Sequence, residues 1–61
     1  MFVTLTDFNG DRVLFNVNKI LFICEKRKRG IVFSVVFTED GNSFDVKEPF
    51  DVVANALSHK G

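Results

Sequence analysis

The 61-residue chain has no tryptophan and no tyrosine, and it holds one residue each of cysteine, histidine, proline and methionine. Each scarcity excludes something. With Cys24 as the only thiol, no disulfide can close within the chain. With His59 as the only histidine, the usual four-ligand zinc set cannot be assembled from one copy. No apolar run approaches the roughly 18–20 residues that a membrane-crossing helix needs. Charge of one sign is also missing: eight Lys and Arg stand against eight Asp and Glu, so there is no global positive field to gather phosphate. The opening MFVTLTD carries no basic segment ahead of a long apolar one. Together with the unpaired thiol, which suits a reducing compartment, this leads us to expect a cytoplasmic protein with no membrane insertion.

A chain this short forms one domain, here residues 1–61, and buries only about 60% of the surface its unfolded state exposes. Small scaffolds make up the deficit with disulfides, a metal or a partner subunit. The first two are unavailable within one copy, so association is the remaining device. The aromatic residues that are present are eight phenylalanines, rings with no polar tip that favour burial over hydrogen bonding to a ligand.

Turn signals fall at Asn9-Gly10, Asn16 to Asn18, the basic run ending in Gly30, and Asp40-Gly41. Asn-Gly and Asp-Gly readily supply the positive φ of tight hairpins. The stretches between them are rich in Val, Ile, Phe and Thr, as strands are. They predict strands at about 2–7, 12–16, 19–26, 31–38 and 43–47. After Glu48-Pro49 the period changes: Phe50, Val53, Ala54 and Leu57 repeat at helical spacing, giving one apolar stripe. Pro49 suits the first helical position, where its missing N–H has no intrahelical partner. The expected fold is mainly β: an antiparallel meander of four or five strands, open or curled into a half-barrel, followed by one C-terminal helix at about 49–58.

Alternation along the strands carries a further expectation. Ile20, Phe22 and Cys24 fall on one face of the third strand and Leu21 and Ile23 on the other. In the fourth strand Ile31, Phe33, Val35 and Phe37 oppose Val32 and Val36. Strands apolar on both faces are normally covered on both, and one short helix covers only one. A homo-oligomer is therefore expected, with Leu21, Ile23, Val32 and Val36 as its contact face.

Lys26, Arg27, Lys28 and Arg29 form the one charge run. At a hairpin tip such a run is most simply solvated surface that discourages edge-to-edge aggregation. The alternative is an anion or nucleic-acid contact, used by a small nucleic-acid-binding regulator. Catalysis is not expected. Cys24 alternates with Ile20 and Phe22 as a small hydrophobe would, and its only prospective base, His59, sits near the C-terminus. The carboxylates cluster at turns and at the helix start, where turn chemistry accounts for them. No cofactor and no metal is implied.

In order along the chain, LTDFNGDRVLFNVNKI and DGNSFDVKEPFDVV resemble the small FlbD-like flagellar and swarming-motility proteins of bacteria. In that family an LT-x-LNG opening leads through a strand, an Asn-containing turn and a hairpin to a closing V-K-E-S. Leu5-Thr6, Asn9-Gly10, Asn16, Ile20, Gly41 and Val46-Lys47-Glu48 stand where the pattern has them. Phe8 replaces a leucine, Asn18 an aspartate and Pro49 the capping serine. The resemblance implies a bacterial or phage protein that modulates a larger assembly through contacts with a protein partner. It also makes Lys47 and Glu48, at the strand-to-helix junction, candidate contact residues. For Glu48 the simpler alternative is that it only stabilises the helix start.

Overall fold

The computed structural model describes residues 1–58. Five strands precede one helix: β1 (Phe2–Thr6), β2 (Arg12–Asn16), β3 (Ile20–Lys28), β4 (Ile31–Thr38), β5 (Ser43–Val46) and α1 (Phe50–Ser58), with a single 3-10 turn at Val17–Lys19 between β2 and β3. β1 and β2 form an antiparallel hairpin, and β3, β4 and β5 form an antiparallel meander. The two sheets meet where Asp7 bridges Val46 and the Lys47 N–H donates to the Thr6 carbonyl at 2.8 Å. Across that junction the strands run β2-β1-β5-β4-β3. β2 and β3 are left as the outer edges.

Two of the three hairpins are closed by one and the same device. The Gly10 N–H donates to the Asp7 carbonyl at 3.1 Å and the Asp7 N–H to the Asp11 carbonyl at 2.9 Å. In the second loop Gly41 donates to Thr38 at 3.1 Å and Thr38 to Asn42 at 3.0 Å. Gly10 and Gly41 have φ of 86° and 88°, so each loop is an ordinary turn followed by one left-handed residue. Asn9 and Asp40 were expected to share the positive φ, and neither does; the glycine alone carries it. The two-residue hairpin with both central residues left-handed occurs instead at Arg29 (φ 53°) and Gly30 (φ 78°), where Lys28 pairs with Ile31. This tight loop consumes only two residues. The ladder therefore runs on to Lys28, beyond the expected end of the third strand.

The core gathers Leu5 from β1, Phe15 from β2, Val36 from β4, Val46 from β5 and Val53 from α1, with Val3, Val13, Ile20, Ile23 and Leu57 packed against it. The helix begins one residue later than the sequence suggests: Pro49 lies ahead of it, its carbonyl accepting from the Val53 N–H at 3.1 Å. An N-cap residue does this too, contributing its carbonyl and needing no N–H.

The expected contact face requires correction. A register shift between Ile20 and Phe22 breaks the alternation of β3, so Ile20 and Ile23 both pack on the core while Leu21 is left outside it. Val36 is 0% exposed and pairs with Ile23 on one side and Phe44 on the other. Val36 is thus covered by the chain itself, and Ile23 is half-buried against the core. Of the four residues expected to form the oligomer face, Leu21 and Val32 remain exposed.

Arg29 occupies backbone space that Asn enters far more readily, since left-handed geometry costs a side-chain-bearing residue about 1–2 kcal/mol. Arg29→Asn is expected to raise stability by about 1 kcal/mol. Urea unfolding would show this as a higher midpoint at unchanged slope; an unmoved midpoint would count against the strain.

Candidate functional site: the outer face of the long hairpin

The side of β3 and β4 turned away from the core is built from four paired rungs: Phe22 with Phe37, Cys24 with Val35, Lys26 with Phe33, and Lys28 with Ile31. Strand alternation places all eight on one face. The rungs change character along the hairpin. At one end the Phe22 and Phe37 rings lie stacked, centroids 4.4 Å apart and 16° from parallel. At the other end apolar residues of β4 face cations of β3.

A ring from elsewhere in the chain reaches that second end. Phe8, in the β1–β2 loop, meets Phe33 edge to face with centroids 5.2 Å apart and an interplanar angle of 88°. A cleft of about 250 Å³ opens beside it, lined by Phe8, Lys28, Arg29, Ile31, Phe33 and Asp45. The four cations do not form the single cluster their adjacency suggests. Lys26 and Lys28 lie on the outer face, Arg27 falls with Glu25 on the opposite face, and Arg29 sits in the turn. The reason is the longer ladder: inside a strand, neighbours alternate.

At the strand-to-helix junction, where Lys47 and Glu48 are the candidate contact residues, Glu48 is held by hydrogen bonds within the chain. Both Glu48 carboxylate oxygens accept from the Thr6 N–H, at 2.9 and 3.0 Å. The Ser34 hydroxyl, itself fully buried, donates to the Glu48 carbonyl at 2.7 Å. Burial pushes the Glu48 carboxyl up, but the hydrogen bonds from Thr6 outweigh it and hold the group below the usual glutamate range. Glu48 is an internal clasp, and its neighbour Lys47 is exposed.

Other polar groups are committed to loops. Asp7 Oδ1 accepts from the N–H groups of Asn9 and Asp11, both at 2.9 Å. The Thr38 hydroxyl donates to Asp40, whose carboxyl is lowered by that bond, against an opposing effect of desolvation and with the help of further bonds from Asn42. Lys19 and Glu39 pair at 3.0 Å. Cys24 is half-buried opposite Val35, and His59 lies outside the described residues. Among the described residues no three or more His, Cys, Asp or Glu side chains converge on a point that could hold a metal ion, and no helix is long and apolar enough to cross a membrane.

Sequence reading missed Phe8 and Asp45 as parts of one site. Each sits beside or within a short segment that reads as turn or strand, and only the β1–β5 junction brings them together. The chain matches no protein-family model, no curated protein and no solved structure.

A clasp with a lowered pKa sets the sign of one pH dependence. Its contribution is complete above the ordinary glutamate value of about 4.3 and is lost as pH falls through the lower folded value. Glu48→Gln is expected to cost about 1 kcal/mol at neutral pH, because a neutral amide is a weaker acceptor than a carboxylate. It should also flatten the acid limb of the stability curve. Urea midpoints measured from neutral pH down to about pH 3 test both, and parallel curves for the two proteins would contradict the assignment.

Proposed function

We propose that the chain is a non-catalytic interaction module that works as a homo-oligomer, joined through the apolar end of the outer hairpin face around Leu21, Phe22 and Phe37. The observation that carries this reading is the exposure of Leu21 (64%) and Phe22 (54%) on the outermost strand of the meander. Fully burying a side chain of this size is worth about 1.5–3 kcal/mol, and total domain stability is only about 5–15 kcal/mol. Two such residues per copy therefore matter to a chain of this size.

The charge pattern of β3 supports the same end of the hairpin. Strand edges are commonly protected from pairing by lysine. Lys26 and Lys28 provide that protection near the turn, while the stretch Leu21 to Cys24 carries no charge. A second copy aligned on the uncharged stretch would bury the exposed rings and satisfy edge N–H and C=O groups together. In the cell such an assembly would dock on a protein partner, in keeping with the assembly-modulating role that the FlbD-like motifs imply, and Lys47 is an exposed charge available to that contact.

Sedimentation equilibrium at tens of micromolar tests the proposal. Wild-type protein is expected to be dimeric or larger, and Phe22→Asp to be monomeric with an unchanged far-UV spectrum. A wild-type chain that stays monomeric over that range would refute it.

A further inference from the structure

The cleft at the turn end of the hairpin has a composition that association does not explain. Its lining combines three apolar side chains, Phe8, Phe33 and Ile31, with two cations, Lys28 and Arg29, and one carboxylate, Asp45. These opposite charges share one small space, yet they do not neutralise each other: among the described residues the salt bridge within 4 Å is Lys19 to Glu39. Phe8 keeps 44% of its surface open, although its ring already has Phe33 as an edge-to-face partner.

From this we infer that the cleft takes one base of a single-stranded nucleic acid, with the ring against Phe8, the adjoining phosphate at Lys28 and Arg29, and an exocyclic amine donating to Asp45. Three features select this occupant. At about 250 Å³ the space falls below the range of about 300–1,000 Å³ usual for pockets that enclose a free small molecule, so it fits one unit of a polymer whose remainder stays in solvent. The unit needs a flat apolar body, an anionic connector on one side and a hydrogen-bond donor on the other, and a nucleotide has all three. Lys26, on the same face one rung further along, extends the cationic track in the direction a strand would leave. Aromatic stacking beside such a track is how proteins hold unpaired strands. An acidic peptide would satisfy the two cations but would leave Asp45 facing like charge.

Cytosine carries an amine at the position where thymine carries a carbonyl, which makes two pyrimidine strands of equal size the sharpest probe. Fluorescence anisotropy with short labelled oligodeoxycytidine and oligodeoxythymidine is expected to show cytidine bound at least about threefold more tightly, and affinity falling between about 50 and 200 mM salt. Asp45→Ala should bring the two strands to equal affinity. Phe8→Leu keeps an apolar contact to Phe33 but removes the stacking ring, and should weaken both strands by about 5- to 100-fold, within the range that loss of one stacked base produces. Lys28→Ala with Arg29→Ala should lower the salt dependence and leave self-association through Phe22 unchanged, so failure here and failure of the oligomer reading are distinguishable. Equal affinity of wild-type protein for both strands, equal affinity for duplex DNA, displacement by polyglutamate as effective as by cytidine, or insensitivity to Phe8→Leu would each overturn the inference.

Discussion

The arrangement depends on what happens to one peptide unit at the end of β1. Thr6 pairs with Arg12 on the β2 side and turns its N–H and carbonyl toward β5, where the ladder is about to end. Backbone groups in such a position must find partners or forfeit a hydrogen bond each. The chain supplies both from consecutive residues, a carboxylate from Glu48 and an N–H from Lys47. The same glutamate receives the hydroxyl of buried Ser34 on its carbonyl. One residue thus fastens β1, β4 and the entrance to α1, and the two small sheets act as one curved surface around Leu5, Phe15, Val36, Val46 and Val53.

That curvature decides which apolar side chains are hidden. With α1 laid over the inner side, the core is closed by five strands and one helix of nine residues, and the outer side of the long hairpin is left to its own neighbours. Phe33 and Val35 are sheltered there by flanking strands and, for Phe33, by Phe8. Phe22 and Leu21, on the edge strand, are not. The outer face is divided between an apolar end and a cationic end. Both proposed functions draw on this division, one at each end of the same two strands.

Much of the fold was legible. Strand positions followed from β-branched and aromatic stretches between turn residues, and the helix from the change of period at Phe50; fold class and element order came out as read. The misreadings have local causes. The irregularity between Ile20 and Phe22 is marked by no glycine or proline, so strict alternation kept Leu21 on the face of Ile23 and Ile20 off it; Ile23 and Val36 were assigned to the open face because no local pattern shows which face of the sheet the helix covers. Asn9 and Asp40 looked like left-handed residues because Asn-Gly and Asp-Gly so often are, whereas a longer loop puts the burden on glycine alone. The clasp and the cleft were invisible for another reason. Thr6 and Glu48 are 42 positions apart, and the side chains lining the cleft, Phe8 included, come from three separate stretches of chain; no local pattern encodes such meetings.

The edge-to-face contact of Phe8 with Phe33 also has a mechanical side. The β3–β4 hairpin outruns the shorter strand β5, so its far end would swing as an unsupported lever. Phe8 braces it from the β1–β2 loop, which is itself stiffened by the double acceptance at Asp7 Oδ1. The tip at Gly30 is thereby tied to the loop at Gly10 through two phenylalanine rings in direct contact.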